Sequence, residues 1–206
     1  MLRKFPFRKI IVYLVYILLF SCFQVSFPGT ISFHGQIADL TFVFVVLTGY
    51  FFGFGDAAVV GIITGLIRDS FASPAVMSLD GTVQVTAGLG ILVLFLAGAA
   101  GSSFFTQKMH RNLPFAFLAV IFLTFCYKVI GNLLEFFWIK ILAGGVYNVT
   151  PMSCLTDSII PQVMLNFLAS IPIIFLLKFM GPYRRGGNDK KDDVIKAYGD
   201  SSWLRI

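Results

Sequence analysis

Long apolar runs separated by short polar stretches fill most of this 206-residue chain, and they constrain its fold more than any other feature. A run of about 20 apolar residues can cross a bilayer as an α-helix, which satisfies every backbone polar group within the segment. Because 57% of the residues are hydrophobic and only 13% charged, an integral membrane protein is predicted. The expected fold is all-α, a polytopic bundle of six transmembrane helices at about 10–27, 38–54, 57–71, 82–105, 114–142 and 159–177.

The second and third runs are short for membrane spans. As helices, 38–54 and 57–71 would each be about 24 Å long, against a hydrocarbon core of about 30 Å. They are either two short spans or one re-entrant hairpin, because segment 53–56, Gly-Phe-Gly-Asp, disfavours a single long helix. The first run has the basic flank of a signal peptide but no small-residue cleavage site after it, which favours an uncleaved span.

Positive charges predict the orientation of the bundle. In a six-span chain, thirteen of the sixteen Lys and Arg residues fall on one side: before span one, between spans four and five, and after span six. Cytoplasmic segments carry the excess of Lys and Arg, so both termini are predicted to be cytoplasmic. Residues 181–206 are predicted to form a hydrophilic, largely disordered cytoplasmic tail. Membrane orientation thus explains the net charge of +6 without nucleic-acid binding.

Small residues recur at every fourth position at the centre of the chain, at Gly49, Gly53, Ala57, Gly61 and Gly65. Four residues make about one helical turn, so such a series forms a groove in which another helix backbone can approach closely. We expect this series to be the packing centre of the bundle, although glycine is also simply common in membrane helices. A second group of small residues lies at 97–103.

Polar side chains inside the spans are the first candidates for a functional site, because a charge in hydrocarbon is costly unless it is paired or hydrated. Two polar stripes with helical spacing are predicted to face the bundle interior. They consist of Lys128, Asn132 and Glu135 in the fifth span, and of Gln162, Asn166 and Ser170 in the sixth. A structural seam, a partner-binding seam and a ligand or proton path all fit this pattern.

Asp39 and Asp69 stand at the outer ends of spans two and three, which an antiparallel pair of helices would bring together. Arg68 could neutralise either aspartate. Alternatively, Asp39 caps the start of its helix and Asp69 only marks the water interface.

Nothing in the sequence indicates an enzyme. No nucleophile, base and orienting group converge, there is no phosphate-binding glycine loop, and the three cysteines and two histidines have no metal-ligand spacing. We therefore expect no catalytic residue, no cofactor and no metal site.

Four short motifs occur in order between residues 38 and 81: Ala-Asp-Leu at 38–40, Gly-Leu-Ile-Arg-Asp at 65–69, Ser-Pro at 73–74 and Ser-Leu-Asp-Gly at 78–81. Together with the basic start and the six apolar runs, this pattern resembles the bacterial rod shape-determining protein MreD family. The chain departs from that family at Ala38, where the family usually has proline.

The resemblance implies a non-enzymatic inner-membrane scaffold of the cell-elongation complex, which regulates cell shape and peptidoglycan synthesis. It would bind an MreC-like partner and, through it, connect MreB filaments to the penicillin-binding protein and RodA synthases. The motif positions that the resemblance carries over are Asp39, Gly65 and Asp69. Together with Gly49, Gly53, Gly61 and Arg68, which the spacing of small residues and the charges indicate, they are assigned to helix packing and partner docking.

A rival interpretation comes from the same bundle architecture. MreD-like proteins are similar to the substrate-binding subunits of energy-coupling-factor vitamin transporters, which are also six-helix bundles. Those subunits commonly present small residues on their first helix, whereas the run from Ile10 to Phe27 contains no Ala or Gly. This absence favours the scaffold over a transporter subunit.

Overall fold

The computed structural model describes residues 7–26, 32–71, 75–77, 83–85, 88–103, 113–137 and 151–182. Most of these residues are helical. The helices are α1 (Phe7–Ser26), α2 (Leu40–Phe52), α3 (Phe54–Phe71), α4 (Leu89–Ser103), α5 (Leu113–Phe137), α6 (Pro151–Ser153) and α7 (Ile160–Phe179), and a π-helix (Cys154–Ile159) joins α6 to α7. Two antiparallel hairpins pair β1 (Ser32–Phe33) with β2 (Gln36–Ile37) and β3 (Ala75–Met77) with β4 (Val83–Val85).

Three helical stretches are long and apolar enough to cross a membrane, namely Phe7–Ser26, Leu113–Leu134 and Cys154–Phe179. The helices α2 and α4 are also apolar but shorter. Apolar helices of this length favour a membrane location.

Helix α2 lies at the centre of the bundle. Every residue from 41 to 51 is buried, and α1, α3, α4, α5 and α7 all pack against it. Aromatic contacts fill the space around it: Phe20 of α1 lies with its ring centroid 5.0 Å from that of Phe44, and Phe42 stacks on Tyr127 of α5 at 5.1 Å. A helix enclosed on all sides explains why 40–52 is apolar all round.

Glycines hold α4 close to the two helices before it. A Cβ atom added to Gly61 would lie 2.8 Å from the carbonyl oxygen of Leu94, and one added to Gly65 would fall against the Cα atom of Ile91. Gly49 of α2 meets the α4 backbone in the same way. Real Cβ atoms do not approach other atoms this closely, so these backbone contacts depend on glycine.

The series of small residues does not lie on one helix. Gly53 has a φ angle of 93°, in the left-handed region that favours glycine, and it separates α2 from α3. The break lies within the predicted segment 53–56, at its first residue, and Gly55 and Asp56 belong to the first turn of α3. Gly53 therefore ends a helix and does not line a continuous groove.

Other boundaries also differ from the prediction. The fourth span was expected from residue 82, but β4 occupies Val83–Val85 and α4 begins at Leu89. The last helical stretch begins at Pro151, before the expected residue 159, because α6 and the π-helix precede α7. The described residues are mostly helical, as predicted, and two short hairpins are present in addition. Residues 138–142 of the fifth predicted span and the tail from 183 lie outside the described residues.

Candidate functional site

The Asp39 carboxylate begins the site as the cap of α2. Its Oδ1 atom accepts hydrogen bonds from the backbone N–H of Phe42 at 3.0 Å and from the Thr41 hydroxyl at 2.8 Å. The first N–H groups of a helix have no partner within the helix, so a carboxylate at this position stabilises its start. The prediction that Asp39 caps its helix is confirmed.

Arg68, in the last turn of α3, forms an ion pair with this carboxylate. Its Nη1 atom donates to Asp39 Oδ2 at 2.8 Å, and the two side chains are 31% and 9% exposed. Such a sheltered carboxylate is costly unless it is paired. The Tyr127 side chain of α5 also interacts with the guanidinium group of Arg68. One carboxylate thus connects α2 with α3 and, through Arg68, with α5.

Asn166 joins α7 to the same group. Its Oδ1 atom accepts from the backbone N–H of Asp39 at 2.8 Å and from Gln162 Nε2 at 3.1 Å, and its Nδ2 atom donates to the Thr124 hydroxyl at 3.2 Å. Gln162 Nε2 also donates to the carbonyl oxygen of Ile37 at 2.8 Å. The sixth-span stripe does face the interior, since Gln162 and Asn166 are 4% and 1% exposed.

These contacts define the Asp39 network, which consists of Asp39, Thr41, Arg68, Thr124, Tyr127, Gln162 and Asn166. Four helices contribute to it, and its members are bonded to one another. Such an arrangement fixes the relative positions of the helices.

The three polar residues of the fifth-span stripe, Lys128, Asn132 and Glu135, do not share one environment. Lys128 Nζ donates to Gln36 Oε1 in the first hairpin at 2.8 Å. The Nδ2 atom of Asn132 is buried and has no hydrogen-bond partner among the described residues. Glu135 belongs to α5, but its side chain lies outside what the structure describes. Lys128 is therefore bonded to a residue of strand β2, and the predicted continuous seam along α5 is not seen among the described side chains.

Asp69 caps α4 from the neighbouring helix. Its carboxylate accepts from the backbone N–H groups of Gly88 and Gly90 at 2.8 Å each and from that of Ile91 at 3.3 Å. The interpretation of Asp69 as only an interfacial residue is therefore wrong. Together with Gly65, which contacts Ile91, Asp69 fixes the start of α4 against the end of α3.

A second group of contacts ties α1 to the other end of α3. Lys9 forms an ion pair with Asp56, and the Tyr13 hydroxyl donates to Asp56 Oδ2 at 2.7 Å. Sequence reasoning missed this role and treated Asp56 as part of a helix breaker. The sequence did contain an indication of this pairing. Before residue 181, Asp56 is the single acidic residue on the predicted cytoplasmic side, which is also the side of the basic residues that precede span one.

Thr124 and Tyr127 were also missed. Thr124 lies one turn before Lys128, so the helical spacing of the polar stripe could have included it. Tyr127 gave no comparable signal in an aromatic-rich apolar run. Within the described residues, no group of three or more His, Cys, Asp or Glu side chains is placed to hold a metal ion.

Comparison of the chain with protein-family models, with curated proteins and with solved structures gives no match. The resemblance to MreD therefore depends on the motifs between residues 38 and 81 and on the pattern of apolar runs.

Proposed function

We propose that this chain is a non-enzymatic scaffold of the bacterial inner membrane, similar to MreD, that acts in cell elongation. It has six spans with both termini in the cytoplasm. It binds an MreC-like partner and, through it, connects MreB filaments with the penicillin-binding protein and RodA synthases, so that it regulates cell shape and peptidoglycan synthesis.

The observation that supports this proposal best is that the polar motif residues form contacts between helices. Asp39 pairs with Arg68 and connects α2 to α3, and Asp69 caps α4 from α3. Each of the three polar motif residues thus fixes one helix against another. A scaffold needs such rigidity, because a preorganised surface loses less entropy when a partner binds.

The same geometry favours the scaffold over a transporter subunit. A transporter's substrate-binding subunit needs polar groups that can bind its substrate. In the Asp39 network, both carboxylate oxygens of Asp39 and both ends of the Asn166 amide are engaged within the protein. A substrate would have to displace these hydrogen bonds, which are costly to break in a buried site.

Depletion of the protein tests the proposed function. We expect rod- or spiral-shaped cells to become round before growth stops, because elongation loses its membrane scaffold. Cell shape is measured by microscopy during depletion, with and without a vitamin mixture. Cells that keep their shape and recover with one vitamin would show that the chain is a transporter subunit.

Partner binding is tested by removing one charge. Asp69→Asn keeps an oxygen that can cap α4, so the protein should remain folded and inserted, while co-purification with the MreC-like partner should fall several-fold. Asp157→Asn is the matched control, because Asp157 is exposed and lies outside the motif segment. Equal co-purification of both variants with the partner would exclude Asp69 from docking.

A further inference from the structure

A groove of about 550 Å³ lies between α1 and α3. Lys9 and Asp56 line one end of it, and almost all other lining residues are apolar. Exposed aliphatic side chains contribute from both helices, among them Ile10, Leu14, Val59 and Ile63. The groove is therefore lined mainly by aliphatic side chains, has one polar end, and is open at the side of the bundle.

The length of the groove corresponds to one leaflet of a bilayer. Along α1 it extends over the ten residues from Lys9 to Leu18, or about 14 Å of helix. Half of a hydrocarbon core of about 30 Å is about 15 Å. Because Lys9 follows the basic start of the chain, the polar end lies where headgroups would be, and the apolar end lies towards the bilayer centre.

The packing of α3 argues against a partner helix as the occupant. Close helix association in a membrane uses small residues, and three of those on α3, Ala57, Gly61 and Gly65, already face α4. The groove side carries the branched residues Val59 and Ile63 instead. A flexible hydrocarbon chain fills such an irregular surface, and it needs only the length of one leaflet.

Charge indicates which lipid is bound. Asp56 is the only carboxylate among the described residues that line the groove, and it forms an ion pair with Lys9. In the sequence, Arg3, Lys4 and Arg8 add three further cations beside this span with no acidic residue among them, and basic residues beside a span attract anionic lipids. We propose that the groove holds an acyl chain of an anionic phospholipid, with its phosphate headgroup beside the basic start of α1. This proposal rests on membrane insertion of α1 but not on the scaffold function.

Native mass spectrometry of the purified, delipidated full chain tests the site. Phosphatidylglycerol and phosphatidylcholine with identical acyl chains are added separately, and bound lipids are counted at increasing concentrations. We expect one phosphatidylglycerol to bind at a concentration about fivefold below that needed for phosphatidylcholine, as one or more surface cations would provide. Equal binding of the two lipids, or no retained lipid, would overturn the proposal.

Groove-filling variants locate the bound lipid. Ile63→Trp should weaken phosphatidylglycerol binding about tenfold, whereas Leu66→Trp, on the same helix but outside the groove, should bind like the wild type. Leu14→Trp against Val15→Trp repeats the comparison on α1, in case a variant fails to fold. Unchanged binding in the folded groove variants would exclude this site. The assay contains no protein partner, so its failure would leave the scaffold proposal standing.

Discussion

The two sides of α3 pack in opposite ways. Towards α4, its small residues Gly61 and Gly65 bring two backbones into contact, and Asp69 caps the neighbouring helix. Towards α1, the exposed side chains of Val59 and Ile63 line a groove between the two helices. At the polar end of this groove, Lys9 and Tyr13 of α1 bind Asp56 of α3 and join the two helices.

This difference shows what holds helices together when lipid replaces water. Lipid solvates bulky aliphatic residues as well as another helix does, so they provide little driving force for close association. Small residues permit backbone contact and many van der Waals interactions. The α4 side of α3 should therefore tolerate little change, and the α1 side should tolerate much more.

The largest expected effect on stability is at the contact between α3 and α4. Gly65→Leu places a side chain against the Ile91 backbone and should destabilise the fold by about 3 kcal/mol or more, the upper end for overpacked cores. Gly131→Leu is the matched control, because a Cβ atom there meets no atom of the described residues within 4 Å. Unfolding free energies in detergent micelles measure both. Equal tolerance of the two substitutions would mean that the α3–α4 contact is not tight.

A smaller loss of stability is expected when the ion pair between Arg68 and Asp39 is removed. Arg68→Ala leaves the Asp39 carboxylate without its cation and should cost about 2 kcal/mol, below the range for fully buried pairs because Arg68 is 31% exposed. Arg68→Lys keeps the charge and should lose less. The same unfolding measurement compares them, and an Arg68→Ala variant as stable as wild type would show that Asp39 does not depend on this cation.

The smallest of the three effects concerns the cap of α4. Asp69→Ala removes the acceptor for three backbone N–H groups and should cost about 1 kcal/mol, as for other helix caps. Hydrogen exchange should become faster in the first turn of α4 and stay unchanged in α7. Unaltered exchange at Gly90 and Ile91 would contradict the capping role.

Local features of the site could be predicted from the sequence, and distant contacts could not. The cap at Asp39 involves a backbone group three residues away, so an aspartate before an apolar run was enough. The partner of Arg68 remained open, because two aspartates were expected near it. The capping role of Asp69 was missed because it depends on residues 19 to 22 positions later returning beside α3.

The helix boundaries show the same limit. Both Gly53 and Gly55 could have ended α2, and only the left-handed backbone at Gly53 distinguishes them. The helical spacing of the polar residues Gln162, Asn166 and Ser170 identified the inward face of α7, yet it gave no sign of the π-helix before it. Hydropathy reports which residues avoid water, and it is insensitive to the hydrogen-bond pattern within a helix.

The central position of α2 has a consequence for how the chain is made. Its 13 residues, about 20 Å of helix, cannot cross a membrane core of about 30 Å unaided. Of the five helices that enclose it, only α1 leaves the ribosome before it. The Asp39 amide must wait for Asn166, near the end of the described chain, to receive its hydrogen-bond acceptor. The helix at the centre is thus translated second, and its surroundings are complete only when the last helix arrives.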